Sequence, residues 1–168
     1  MGRCGRNLKM PAMDWRTAYL EQAKSDYAVL LKLNRDAAPL CHQLHYLQMT
    51  TEKMAKGFLT RNGGARYPKT HNAFVNFVIL AARTPEFRVV SCFTTKSQFS
   101  AYATSLLALA RRVENLSPDG DDHPNPEYPW EIKGVILLPT EYAFSGLELD
   151  NPKMVKLLEF IADCFTLA

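Results

Sequence analysis

The sequence has few cysteines, and they are scattered. Only four of its 168 residues are cysteine, Cys4, Cys41, Cys92 and Cys164, and no two of them form a Cys-x-x-Cys pair. This spacing does not indicate a disulfide framework, and it favours reduced thiols, as in a cytoplasmic protein. Cys41, Cys92 and Cys164 lie among apolar residues, so we expect them to act as small core side chains.

Long apolar runs and a strong excess of charge are also missing. No run approaches the roughly 18–20 apolar residues that a membrane-spanning helix needs, so no membrane segment is expected. The net charge of +3 permits an anionic partner but does not require one. A hydrophobic content of 47% over 168 residues favours one globular domain. We therefore expect a flexible basic N-terminus over residues 1–13 and a single domain over residues 14–168.

Two common catalytic loops are absent. The Gly63-Gly64 pair is not followed by Lys-Ser or Lys-Thr, as a phosphate-binding loop requires. No Gly-x-Ser-x-Gly elbow of a serine hydrolase occurs either. Cys41, His42 and His45 form a weak metal pattern on one helix, but their spacing is a poor match to zinc sites. We therefore predict no metal and no other cofactor.

What the chain does contain is helical spacing of apolar residues. Asp14 is a good helix cap, and the apolar residues from Trp15 to Leu31 recur mostly at steps of three or four. The same periodicity predicts helices over about 38–60, 70–82, 96–115 and 152–165. Residues 87–93 are ambiguous between helix and extended chain. The pattern predicts an all-α, up-down bundle of about five helices, with one short extended segment near 132–144.

A basic segment before the third helix carries the strongest chemical signal. The run Arg66-Tyr67-Pro68-Lys69-Thr70-His71 combines a guanidinium, an ammonium, a helix start and a histidine that titrates near neutral pH. Such groups suit a phosphate, and RNA cleavage needs them to deprotonate the 2′-hydroxyl and to stabilise the charge that develops on phosphorus. The alternative is a helix cap at Thr70 with solvated loop charges at Arg66 and Lys69.

A polar stripe on the second helix is a further candidate for ligand contacts. Gln48, Glu52 and Lys56 are spaced four residues apart, and Lys53 is adjacent. The simpler interpretation is a solvent-facing stripe whose Glu52–Lys56 ion pair contributes roughly 0.2–0.5 kcal/mol. The stripe gains functional interest only if the segment carrying His71 folds over it.

Three stretches together resemble the HEPN (higher eukaryote and prokaryote nucleotide-binding) domain. They are Ala23 with Asp26-Tyr27 and Leu30-Leu31, Cys41-His42-Gln43 with Gln48, Glu52-Lys53 and Lys56, and Pro68-Lys69-Thr70-His71-Asn72. The later Tyr128-Pro129-Trp130-Glu131 resembles the aromatic-proline segment of the family, and the helix from Pro152 resembles its fifth helix.

The resemblance implies a helical bundle that is commonly a homodimer and acts on RNA or nucleotides. Its members often belong to toxin–antitoxin or defence systems, sometimes beside a nucleotidyltransferase. Catalytic members are metal-independent endoribonucleases that use an Arg-x4–6-His pair. By this resemblance Arg66 and His71 are the catalytic candidates. The ligand-binding candidates are Gln48, Glu52, Lys53, Lys56, Lys69, Thr70 and Asn72.

Whether the chain is an enzyme stays open at the level of sequence. The family pair usually lies in a late helix, whereas Arg66 and His71 precede the third helix, and Asn72 stands where the family commonly has Asp. The alternative function is therefore a non-catalytic protein-interaction module that pairs with a nucleotidyltransferase or another partner chain.

Overall fold

Six helices and one small hairpin make up the part of the chain that the computed structural model describes, residues 13–68, 70, 72–116 and 124–168. The helices are α1 (Trp15–Arg35), α2 (Leu40–Leu59), α3 (Ala73–Ala81), α4 (Pro85–Val90), α5 (Lys96–Glu114) and α6 (Pro152–Phe165). The strands are β1 (Trp130–Ile132) and β2 (Val135–Leu137). The predicted all-α bundle is confirmed, with one short helix more than expected. In these residues no helix has the length and apolar character needed to cross a membrane.

The first two helices form an antiparallel pair, as their short connection predicts. α1 begins at Asp14, whose Oδ1 accepts a hydrogen bond from the Thr17 N–H at 2.8 Å. Near the end of α2, Gly57 lies against Leu20 of α1, and a Cβ at position 57 would stand 2.6 Å from Leu20 Cγ. The missing side chain at Gly57 therefore allows the two helices to approach closely.

An aromatic cluster joins four helices at the centre of the core. The fully buried Phe77 of α3 stacks on Phe58 of α2 with 5.0 Å between ring centroids. Phe87 of α4 meets both rings edge-on at 5.2 and 5.3 Å, and Phe160 of α6 lies 6.1 Å from Phe77. Edge-to-face and offset pairs are the favoured geometries of aromatic rings. The segment from Phe87, which is ambiguous in the sequence, is therefore helical as far as Val90, and α4 places Phe87 in this cluster.

Two details of the predicted helices are wrong. The apolar spacing places Trp15 and Leu31 on the buried face of α1, yet each side chain is 46% exposed. The buried stripe consists of Leu20, Ala23, Asp26 and Leu30. Residue 31 follows Leu30 by about 100° around the helix and residue 15 precedes Leu20 by about 140°, so both side chains lie off this stripe. The third helix begins at Ala73 and has Asn72, rather than Thr70, as its N-cap residue.

The cysteines that were expected in the core have two different outcomes. Cys41 and Cys164 are buried, as predicted, whereas Cys92 is exposed. Cys92 lies just after α4, where the chain turns with a φ angle of +57°. The prediction for Cys92 is wrong because Cys92 itself lies in the turn that follows α4, where its side chain is exposed, although Val89 and Val90 before it belong to the helix.

The extended segment predicted near 132–144 is a β-hairpin that begins slightly earlier, at Trp130. β1 and β2 pair antiparallel, with Trp130 opposite Leu137 and Ile132 opposite Val135. Their two-residue turn is Lys133-Gly134, with φ angles of +51° and +81°. A turn with two positive φ values matches the right-handed twist of the strands and favours glycine. Trp130 anchors the hairpin because its ring is buried and packs edge-on against Tyr142, with 5.0 Å between the ring centroids.

Candidate functional site

The loop that follows α2 folds back onto the start of α1 and carries Arg66 with it. The Gly63 N–H donates to Oδ2 of Asp14 at 3.1 Å. Further along the loop, Cζ of Arg66 lies 5.4 Å from the centroid of the Trp15 ring, which is a cation–π contact. Both Arg66 and Trp15 are exposed. The loop and the helix start together present a guanidinium on an accessible indole.

Asp14 connects the two parts of this surface through a single carboxylate. Its Oδ1 caps α1 by accepting from the Thr17 N–H, while Oδ2 accepts from the Gly63 N–H. The hydrogen bonds from Thr17, followed by that from Gly63, favour the ionised form and lower the pKa of Asp14 below its ordinary value of 3.8. Asp14 is therefore charged at neutral pH and fixes the loop to the helix start.

The start of α3, where the sequence predicts a phosphate, holds a carboxylate of the chain itself. The Phe74 N–H donates to Oε1 of Glu114 at 2.6 Å. Glu114 is the last residue of α5. Its hydrogen bond to the Phe74 N–H brings a negative side chain to the positive end of the α3 dipole. A phosphate that bound to this N–H would have to displace Glu114. One of the N–H groups that the sequence predicts as free at this helix start is therefore occupied.

The other residues of the predicted segment have different outcomes. Asn72 is exposed at the N-cap position of α3 and makes no capping hydrogen bond through its side chain. The hydroxyl oxygen of Thr70 is buried and has no hydrogen-bond partner among the described residues. Lys69 and His71 lie outside the described residues. The catalytic pairing of Arg66 with His71 therefore stays a prediction.

Lys53, a predicted ligand-binding residue, is paired within the chain. Its Nζ lies 2.5 Å from Oδ2 of Asp26 on α1. The Asp26 side chain is buried, and its other oxygen accepts from Nε2 of Gln22 at 3.0 Å. A cation in contact with a buried carboxylate is already compensated, and removing it from that partner would leave a buried charge. Lys53 is therefore poorly available to a phosphate.

The solvent-facing interpretation of the α2 stripe is wrong for two of its residues. Gln48 and Lys56 are each only 8% exposed, because α2 is covered by α1, α3 and α5. The predicted pair is present, since Nζ of Lys56 donates to Oε1 of Glu52. Within the described residues no hydrogen bond or ion pair joins Arg66 to this stripe.

The candidate metal residues on α2 lack a complete ligand set. Nδ1 of His45 lies 3.8 Å from Oε2 of Glu127. Cys41 is buried, and burial raises the pKa of its thiol above the ordinary value of 9.0, which opposes the thiolate that a metal requires. No group of three or more potential metal ligands occurs in the described ranges.

The geometry assigns structural importance to Trp15, Asp26 and Glu114, whose roles the sequence pattern does not specify. Asp26 gives a weak signal, since it lies at helical spacing between Ala23 and Leu30, and an acid on a buried face needs a partner. Glu114 gives none, because its contact at Phe74 is 40 residues away. The apolar character of Trp15 predicts a position on the buried face of α1, whereas the structure places it at the surface.

Comparisons with known proteins found no match to this chain. No protein-family model matches the chain, and no curated protein and no solved structure shows significant similarity to it. The resemblance to HEPN domains therefore rests on the short motifs around Gln48–Asn72, and it enters the functional argument as a proposal.

Proposed function

We propose that this chain is a HEPN-like RNA-binding domain that engages single-stranded RNA at the surface formed by Trp15 and Arg66. The observation that carries the proposal is the exposed guanidinium lying on the exposed indole. Single-stranded RNA is recognised by unpaired bases that stack on aromatic rings or guanidinium planes, while cations contact its phosphates. Trp15 and Arg66 offer both kinds of contact in one place.

The charge around this surface supports the same ligand. Arg66 has no carboxylate in contact among the described residues, unlike Lys53 and Lys56. Arg61 is exposed on the same loop, whereas Cζ of Arg16 lies 5.6 Å from the centroid of the Phe58 ring and belongs to another part of the surface. Exposed guanidinium groups on one loop, one of them on an aromatic ring, are a pattern expected for contact with a polyanion that carries bases.

The proposal extends to metal-independent RNA cleavage by Arg66 and His71, in the cytoplasmic toxin–antitoxin or defence setting that the HEPN resemblance suggests. His71 would move a proton at the 2′-hydroxyl or at the leaving oxygen, and Arg66 would stabilise the negative charge on the phosphorane. This step is supported by the Arg-x4-His spacing in the sequence. RNA binding and cleavage are tested separately.

The binding test is fluorescence anisotropy with a labelled single-stranded RNA oligonucleotide. Arg66→Ala and Trp15→Ala should each weaken binding by about tenfold, since stacking contributes about 1–3 kcal/mol per base. Trp15→Phe keeps an aromatic platform and should retain most of the affinity. Arg111→Ala removes an exposed arginine at the end of α5 and serves as the matched control, with a change within about twofold. Unchanged binding by Arg66→Ala and Trp15→Ala would overturn the proposal.

The cleavage test compares the wild-type chain with His71→Ala on the same RNA in the presence of a chelator. Cleavage that persists in the chelator and disappears in His71→Ala would support a metal-independent ribonuclease. RNA binding without cleavage by the wild-type chain would remove the catalytic step and leave a binding domain.

A second candidate function, a protein-interaction module, is favoured by the hairpin. Val135, Ile136 and Leu138 are 59%, 71% and 43% exposed, and β2 pairs only with β1 within the described residues. An open strand edge beside apolar side chains is a site for pairing with another chain. The occupant we propose is a second copy, because two β2 edges related by a two-fold axis bury the same residues on both sides.

Light scattering of the purified chain tests this second candidate. The wild type should be a dimer, and Ile136→Glu should shift it towards monomer because each copy would place a charge in the interface. Glu131→Gln changes an exposed residue of β1 and serves as the control. A wild-type monomer at all concentrations measured would contradict the proposed pairing.

A further inference from the structure

A cationic cavity lies between the end of α3, α4 and the start of α5. Its volume is about 370 Å³, within the range of small-molecule sites. Three cations, Arg83, Arg88 and Lys96, line it together with the hydroxyl residues Thr84 and Thr94. Phe99 contributes to its apolar floor. Neither Trp15 nor Arg66 lines this cavity, so it is distinct from the proposed RNA surface.

No described residue compensates the positive charge of this cavity through an ion pair. None of its lining residues is acidic, and no carboxylate forms an ion pair with Arg83, Arg88 or Lys96 among the described residues. Like charges arranged around a concave surface raise the local potential and concentrate anions. The contrast with Lys53 and Lys56, which each contact a carboxylate, indicates an anion as the missing partner.

Arg88 is held in a fixed orientation and retains free donors. Its Nη1 donates to the carbonyl oxygens of Phe93 at 3.1 Å and Thr94 at 2.8 Å. These two bonds use the two N–H groups of Nη1 and leave three of the five guanidinium donors, on Nε and Nη2, without a partner among the described residues. Donors arranged as a planar fork match the oxygens of a phosphate group.

We propose that this cavity binds a small phosphomonoester, with the phosphate held by Arg88, Arg83 and Lys96 and the organic part resting on the apolar floor. A phosphomonoester carries about −1.5 to −2 charges at neutral pH, which suits three cations better than the single charge of a phosphodiester. Lys96 is the first residue of α5, so the positive end of that 19-residue helix adds to the attraction. Arg83 and Lys96 are exposed and leave the cavity accessible to a small ligand.

The test is isothermal titration calorimetry of the full chain with AMP in a phosphate-free buffer of low ionic strength. We expect one site for AMP, competition by inorganic phosphate, and no binding of adenosine, which lacks the phosphate. Arg83→Gln/Lys96→Gln should weaken AMP binding by about tenfold or more, because it removes two of the three charged contacts proposed for the phosphate. This double variant is preferred to a change at Arg88, because Arg88 also supports two backbone carbonyls.

The control variant is Arg111→Gln/Lys153→Gln, which removes one exposed arginine and one exposed lysine elsewhere and should leave AMP binding within about twofold. Trp15→Ala and Arg66→Ala should also leave it unchanged, which separates this inference from the RNA proposal. Absence of AMP and phosphate binding to the folded wild type would overturn the inference, as would an equal loss in the control. RNA binding that depends on Arg83 and Lys96, without AMP binding, would assign the cavity to a polynucleotide backbone and also overturn it.

Discussion

The lysines of α2 and the cations around α4 differ in how the fold compensates their charge. Lys53 contacts Asp26 on the neighbouring helix, and Lys56 contacts Glu52 one turn away. Arg83, Arg88 and Lys96 instead line a cavity without an acidic residue. The comparison teaches that a basic motif is available to a ligand only where the fold places no carboxylate within reach.

The Arg66 surface and the start of α3 extend this comparison to the segment with the strongest sequence signal. Arg66 lies on Trp15, and an aromatic ring leaves the guanidinium free to contact a phosphate. The start of α3, by contrast, is compensated by Glu114. The basic segment therefore contains one positive group that is available to a ligand, the Arg66 guanidinium, and precedes a second, the start of α3, that already binds a carboxylate.

The largest expected effect tests the compensated lysine. Asp26→Ala leaves the partly buried Lys53 without its partner and should lower the free energy of unfolding by about 2 kcal/mol. The measurement is urea denaturation. Asp36→Ala breaks the exposed Lys32–Asp36 pair and should change stability by at most about 0.5 kcal/mol. Equal losses of unfolding free energy in Asp26→Ala and Asp36→Ala would contradict the claim that the Lys53 charge depends on its buried partner.

A smaller effect is expected at the start of α3. Glu114→Ala removes the acceptor of the Phe74 N–H and should destabilise the chain by about 1–2 kcal/mol. Glu114→Gln keeps a carbonyl oxygen but loses the charge that faces the helix dipole, which contributes about 0.3–1 kcal/mol. Thermal unfolding should therefore rank the wild type above Glu114→Gln and that variant above Glu114→Ala. A Gln variant as unstable as the Ala variant would show that charge alone matters there.

The smallest effect concerns the loop of Arg66 and appears only in acid. The hydrogen bonds to Asp14 lower its folded pKa below the ordinary 3.8. Ionised Asp14 therefore contributes stability above its unfolded pKa, and this contribution is lost as the pH falls through the lower folded pKa. The amide proton of Gly63, followed by NMR, should shift with a midpoint below 3.8 and lose this transition in Asp14→Asn. A midpoint above 3.8 would contradict the hydrogen bond.

The parts of the fold that depend on local sequence could be predicted. The Asp14 cap, the start of the last helix at Pro152 and the Glu52–Lys56 pair each involve residues at most four apart. Such features follow from capping preferences and helical spacing. The β-hairpin was predictable only as an extended segment, since its register depends on the turn.

The candidate site could not be predicted because its contacts are distant in sequence. The Lys53–Asp26 pair spans 27 residues and the Phe74–Glu114 bond spans 40. Arg66 reaches Trp15 only after the loop has turned back at Gly63. Residue type and spacing identify which groups suit a phosphate, whereas the fold decides which of those groups are already paired.

The most direct test of this account is the salt dependence of RNA binding, measured for the wild type, Arg66→Ala and Asp26→Asn/Lys53→Met. The double variant removes both charges of the Lys53–Asp26 pair and so leaves no buried charge without a partner. For single strands, the slope of log K against log salt concentration changes by about 0.7 for each phosphate that the protein no longer neutralises. The account predicts this reduction, with weaker binding, for Arg66→Ala and an unchanged slope for Asp26→Asn/Lys53→Met. An unchanged slope for Arg66→Ala with a reduced slope for the double variant would contradict it.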